Sequence, residues 1–231
     1  GSLFHLNMTM IIDGHSGIEH PVPIADAYED VITLWAASGT GSTPTVIAGY
    51  GGMWGERYWY QHTDVWKNQR LMTFVPRDIV VPRSRRRTMA PEEEYNHIKL
   101  MQVCKKLIDA GGRVHLGAHG QLQGLGAHWE LWMLAQGGFT PLEAIRAATI
   151  DGAKYIGLDK EIGSIEVGKF ADMIVLEKNP LENIRNSEHI RYTIVNGKIY
   201  NARTMDQIGK EPKKRKQFYW EIDYRLKNKA K

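Results

Sequence analysis

Nine histidines stand among 231 residues, and a neutral imidazole is well suited to hold zinc or another borderline metal, or to exchange a proton near neutral pH. His5 and His20 each fall in a short apolar segment beside a polar break, which places the imidazole at an open strand end instead of in a packed core. His119 sits in the same way at the end of an apolar stretch from Arg113, and His15 lies in the polar turn before His20. His62, His97, His115, His128 and His189 show no ligand spacing and read as surface or packing residues. No HxH, HExxH or CxxC pair occurs, so no complete metal motif can be written from this sequence. A second chemical candidate is aromatic. Residues 53–66 are too irregular for an amphipathic helix, and Trp54, Tyr58 and Tyr60 within them would line a substrate pocket or belong to a packed surface excursion.

The elements that must position these groups alternate. Residues 1–6 are apolar and β-prone, and residues 17–21 read as a short buried strand that Pro21 stops. A helix follows over 26–37, closed by Gly39 and Gly41, and then a β-branched strand over 43–50. After the aromatic segment, residues 83–87 form a basic hinge. Pro91 and the acids after it open a helix that runs to Asp109, and residues 113–120 make a third strand entering a polar loop. Strand, helix, strand, helix, strand at this spacing is the pattern of parallel βαβ units, in which catalytic groups gather at the C-terminal ends of the strands. Helices are expected over 128–136 and 141–155, the second opened by Thr140-Pro141-Leu142-Glu143 as a capping box. From Gly163 the period changes to two. Residues 163–169 read as a tight hairpin-like element, 171–176 as a strand, and 191–200 as a hairpin turning at Asn196-Gly197.

Composition limits the alternatives. With 42% hydrophobic and 24% charged residues, the chain has enough apolar surface to offset the entropy of folding. No apolar run reaches the roughly 18–20 residues of a membrane helix, and residues 1–10 lack the features of a signal peptide, so no membrane partner is expected and localisation stays open. The one cysteine, Cys104, reads as a buried small hydrophobe. From Lys210 onward nine Lys/Arg stand against three Asp/Glu, a surplus larger than the whole chain's net charge of +4, so the remainder is slightly acidic. This basic tail reads as a solvated arm; the alternative is nucleic-acid binding through Lys213 to Lys216 and the aromatic residues Phe218 to Trp220.

The run Pro141-Leu142-Glu143-Ala144-Ile145-Arg146-Ala147-Ala148-Thr149, then Gly152-Ala153, then Gly163-Ser164-Ile165-Glu166-Val167-Gly168-Lys169-Phe170-Ala171-Asp172, resembles the C-terminal signature of the amidohydrolase superfamily. Gly14-His15-Ser16-Gly17-Ile18-Glu19-His20 with Gly117-Ala118-His119-Gly120-Gln121 is similar to its imidazolonepropionase/prolidase-like branch, in large proteins where a TolB-like propeller precedes the barrel. The resemblance implies an α/β fold: the C-terminal part of a metal-dependent hydrolase (β/α)8 TIM barrel over residues 1–156, part of a small β-sandwich over 157–204, and the basic tail over 205–231. It makes His20 a metal ligand at the end of strand six, sets His5 near the ligand position of strand five, and puts His119 where the family commonly has an aspartate that binds metal and takes a proton. His119 is then the catalytic candidate, and a divalent metal, zinc by preference, is the implied cofactor. The remaining ligands, an HxH pair and a bridging lysine or glutamate, are expected before residue 1, as the abrupt apolar start also suggests.

Two readings follow. In one, the chain is an incomplete fragment of an amidohydrolase that cleaves a carbon–nitrogen bond of a small amide or dipeptide-like substrate with metal-activated water. In the other it is a non-catalytic half-barrel or binding module with a degenerate metal site. Either form exposes open sheet edges and an apolar interior, and so predicts a homo-oligomer that closes the barrel, or aggregation. The solvated-arm reading predicts that deleting residues 213–231 leaves single-stranded DNA binding at background; steeply salt-dependent binding, lost in the deletion by fluorescence anisotropy, is the outcome that would overturn it.

Overall fold

A computed structural model describes residues 3–22, 26–49 and 52–222. Three short strands, β1 (Gly17–Glu19), β2 (Gly41–Thr43) and β3 (Arg113–Val114), pair in parallel in the order β1-β2-β3, with Gly17 opposite Gly41 and Gly41 opposite Arg113. Parallel neighbours need crossovers, and helices supply them. Helix α1 (Phe4–Ile12) precedes β1 and α2 (Glu29–Ser38) joins β1 to β2. Between β2 and β3 come α3 (Gly55–His62), α4 (Gln69–Phe74), α5 (Arg77–Arg85) and α6 (His97–Asp109). After β3 follow α7 (Leu125–Gln136), α8 (Pro141–Ala147) and α9 (Ile150–Tyr155). Among the described residues no helix is long and apolar enough to cross a membrane.

The two faces of the sheet are treated differently, as the alternation of a strand requires. Ile18, Ser42 and Val114 are all nearly fully buried, and Ile18 and Val114 join Ile11, Trp35, Met101, Cys104 and Leu107 in the main core. On the opposite face Gly17 and Gly41 make room for Tyr155 of α9. A Cβ on Gly17 would lie 1.9 Å from the Tyr155 hydroxyl, and one on Gly41 would lie 2.5 Å from Cε1 of His115, whose ring stacks on Tyr155 at 4.3 Å. The Tyr155 hydroxyl donates to Glu19 Oε1 at 2.6 Å.

Several local expectations are corrected by tertiary packing. The N-terminal apolar segment is helical because Phe4, Met8 and Ile11, at i, i+4 and i+7, face the core together; His5 is therefore in the first turn of a helix and not at a strand end. The strand expected over 43–50 stops at Thr43, and Val46–Ala48 turns into a 3-10 helix; Tyr50 lies outside the described residues. The aromatic segment contains α3, whose Glu56, Trp59 and Tyr60 share a buried side. The basic hinge over 83–87 is largely the end of α5. The helix expected over 141–155 breaks into α8 and α9 at Thr149, whose ψ of −101° cannot continue it, while the Thr140/Glu143 capping box forms as read. Cys104 is buried.

A second sheet is antiparallel, in the order β4 (Met173–Leu176), β5 (Ile190–Val195), β6 (Lys198–Asn201), β7 (Gln207–Ile208). Asn196 and Gly197 turn β5 into β6 with φ of 47° and 75°, the left-handed pair that a two-residue hairpin needs. Residues 163–169 form turns and not a hairpin, with Lys169 bonded to Ser164. The C-terminal segment is no loose arm as far as it is described. Lys213 bridges to Gln207, and the Arg215 guanidinium lies over the rings of Phe74 and Phe218 while binding both oxygens of Glu221. The architecture is thus a partial (β/α) TIM barrel with a separate small antiparallel sheet.

The loop leaving β2 is held from beneath. Glu130 of α7 has no exposed surface, and its two carboxyl oxygens accept the N–H groups of Val46 and Ile47, each at 2.9 Å. Burial pushes its pKa up to about 8, against the pull of the Ile47, Val46 and Thr45 N–H groups. The folded chain then keeps a proton that an ordinary carboxyl, near 4.5, has already released. Stability should accordingly fall as pH rises from 4.5 to 8. Glu130→Gln keeps the shape but turns an NH2 toward one backbone N–H. We expect a loss of about 1–3 kcal/mol from that clash of donors, together with a flattened pH dependence, both read from urea denaturation across that range.

Candidate functional site

All three parallel strands lead into a residue of left-handed backbone. His20 follows β1 with φ of 78°, Thr45 comes two residues after β2 at 51°, and His119 lies beyond β3 at 49°. Such conformations are sparsely populated outside glycine, and a β-branched threonine is the least tolerant of them; each costs about 1–3 kcal/mol and persists only where its surroundings dictate it. Here they do. The His20 N–H donates to the Thr43 carbonyl at 2.8 Å, the Thr45 hydroxyl donates to the same carbonyl at 3.2 Å, and Glu130 grips the two residues that follow. Gly117 passes so close that a Cβ on it would sit 2.3 Å from the Thr45 hydroxyl oxygen.

The result is convergence of two imidazoles from strands that are not neighbours. The His20 and His119 rings lie 5.2 Å apart at 55°. His20 is half-buried, and burial first, then the facing His119, hold its pKa below the usual imidazole value, which favours the neutral ring with a lone pair to offer. His119 is exposed, with Nδ1 3.0 Å from Gln121 Oε1.

The spacing of the two rings is the one that a shared divalent ion would require. An ion about 2.0–2.1 Å from one nitrogen of each ring, at a near-tetrahedral angle, would set the ring centroids roughly 5 Å apart, which is the spacing observed. The set is incomplete, since among the described residues no group of three or more His, Cys, Asp or Glu side chains is gathered to hold a metal. His5, exposed on α1, makes no ring contact with the pair, and His15 is exposed in the loop before β1. His97 and His128 are packing residues. His97 is buried, with Nε2 3.1 Å from Gln136 Oε1, and His128 meets the Ser187 hydroxyl at 3.0 Å; burial lowers both pKa values to about 4.

The aromatic candidates are split by the helix that carries them. Trp54, just before α3, is 44% exposed, whereas Tyr60 has no exposed surface and packs edge-on against Trp129 at 5.2 Å. Tyr58, about 200° around the helix from Tyr60, stacks on His62 at 4.0 Å and faces Tyr95 and His97. Tyr60 therefore belongs to the core, where burial raises its phenol to about 12, and cannot touch a solute in this conformation. Sequence reasoning missed Glu130, Thr45 and Gln121. Of these only Glu130 left a signal, as a lone acid inside the apolar run of residues 129–135.

Comparison with known proteins bears on this geometry. Residues 7–200 match the Amidohydrolase family. The imidazolonepropionase of Symbiobacterium thermophilum is 54% identical over 39 residues, 17% of this chain and 9% of that protein. The ochratoxinase of Aspergillus niger is 37% identical over 91 residues, 39% and 18% of the two chains. A crystal structure of a Xaa-Pro dipeptidase with bound methionine in the active site superposes with a TM-score of 0.59 at 25% identity, over 86% of this chain and 43% of that one. The chain thus spans less than half the length of the proteins it matches. With a match that runs from α1 to the end of the β5–β6 hairpin, this chain belongs to the amidohydrolase family.

Proposed function

We propose that this chain carries the strand-six and strand-eight side of a hydrolytic site for carbon–nitrogen bonds, and that by itself it acts as a binding half-barrel with no turnover. The observation that carries the reading is the approach of His20 and His119 to 5.2 Å across the ends of non-adjacent strands, without a third ligand beside them among the described residues. Family membership supports the reaction class, and the incomplete ligand set favours binding over catalysis in this chain.

When bound, a divalent ion, zinc by its affinity for imidazole nitrogen, supplies an activated water and a polarised carbonyl. What the chain itself contributes is narrower. His20 presents a neutral imidazole held by burial and by its N–H bond to Thr43. His119 occupies the aspartate's place and serves as a second nitrogen ligand or as an acceptor for a proton. Trp54 offers an open aromatic surface to a small amide, and Tyr58 stands in a separate ring cluster with His62; neither they nor His5 joins the imidazole pair directly.

The test is equilibrium dialysis of the chain against zinc, followed by assay with an Xaa-Pro dipeptide and an aryl amide. We expect one weakly held ion, lost in His20→Ala and in His119→Ala, kept in His5→Ala, and no hydrolysis. Tight stoichiometric metal with turnover would overturn the binding-only reading, and absence of any histidine-dependent metal would overturn the site.

A further inference from the structure

The motif that contains His119 does more than supply an imidazole. His119 and Gly120 are consecutive left-handed residues, with φ of 49° and 73°. Two such residues in series fold the chain back sharply, which brings the side chain at 121 beside the ring at 119. Gln121 Oε1 then stands 3.0 Å from His119 Nδ1. The residue is fixed at both sides of that contact. Its own carbonyl accepts from Arg83 Nη1 of α5 at 3.1 Å, and the next residue, Leu122, is buried in the main core at 2% exposure.

An amide oxygen only accepts. Where it faces Nδ1, the neutral imidazole must carry its proton there, and Nε2 is left with a lone pair. Imidazole free in water prefers the opposite form, with the proton on Nε2, which would close that nitrogen to a metal or a proton. The pairing therefore selects the tautomer that a ligand or base requires, in the way that hydrogen-bond partners of metal-bound histidines do generally. A glutamine does this without adding charge beside the pair of rings.

We infer that Gln121, anchored through its carbonyl by Arg83, is a positioning residue that fixes His119 in its Nδ1–H tautomer with Nε2 open. The purpose of this arrangement rests on the reading of His20 and His119 as a half-site; its geometry does not. It also ties the strand-end chemistry to α5, an element of the long excursion between β2 and β3 that has no side chain at the site itself.

Long-range 1H–15N correlation spectra of the metal-free full chain, labelled at histidine and recorded at alkaline pH, read the tautomer directly, with the His119 signals identified by their loss in His119→Asn. We expect a pyrrole-type Nδ1 and a pyridine-type Nε2 in the parent chain. In Gln121→Leu the balance should shift toward the Nε2–H form, and Gln121→Glu, which restores an acceptor, should restore the Nδ1–H form. Unchanged far-ultraviolet circular dichroism in Gln121→Leu separates this from unfolding. Zinc affinity should weaken in Gln121→Leu by about 10- to 100-fold and recover in Gln121→Glu. A parent chain already in the Nε2–H form, as it would be if the amide nitrogen faced the ring, or a tautomer indifferent to Gln121→Leu, would overturn the inference. Zinc binding absent throughout, with the tautomer shifting as expected, would sink the metal half-site and leave the role of Gln121 standing.

Discussion

A carboxyl group without exposed surface, reaching from α7 to the backbone N–H groups of Val46 and Ile47, is the contact on which the strand ends depend. β2 itself contributes no imidazole, yet it lies between the two strands that do. If the segment leaving β2 ran straight on, as its β-branched sequence invites, it would occupy the space over which His20 and His119 approach each other. Glu130 instead draws the chain down into a single 3-10 turn and holds Thr45 in a conformation it would not adopt alone. Removing a buried acceptor from two backbone donors is costly in any apolar setting, and here the cost falls on the geometry above it.

The neighbouring contacts follow from that bend. Because Thr45 turns inward, only a glycine at 117 can pass it, and the chain beyond β3 reaches His119 at the right height. The Thr43 carbonyl, on the side of β2 that faces β1, accepts from the N–H of His20 and so ties that residue to the same bend. Backbone strain at the three strand ends thus lies where a binding site would use it, above core packing around Trp129, Trp132 and Met133 of α7.

Much of this was legible in sequence, for identifiable reasons. The parallel βαβ order could be read because Gly17-Ile18-Glu19-His20 and the stretch from Arg113 combine apolar residues with polar exits, and the 140–143 capping box and the 196–197 turn carry their own local chemistry. His20 and His119 were found because both stand at such exits. What escaped was anything decided at long range. Residues 43–50 have strand propensity, and beyond Thr43 the described ones lose it to a buried carboxyl group more than eighty positions away. Tyr58 and Tyr60 look equivalent in a list of aromatic residues, but the helix beneath them sends one into a ring cluster and the other into the core. The first segment hid its helical period behind its β-prone residues, and so misplaced His5. The basic tail looked solvated because the ring that Arg215 covers, Phe74, lies far outside it in sequence.

The contact between Tyr155 and the two strand glycines carries a consequence of another kind. Strands of two and three residues have too few ladder bonds to hold their register unaided, and a slip of one position turns every side chain to the opposite face. In this sheet such a slip would bring Ile18 or Ser42 beneath the ring of Tyr155, where even a Cβ on glycine would already collide. A tyrosine more than one hundred residues further along the chain therefore admits one alignment of β1 with β2 and rejects the next, so that the spacing of the two histidines is checked at the far end of the strands from where it is used.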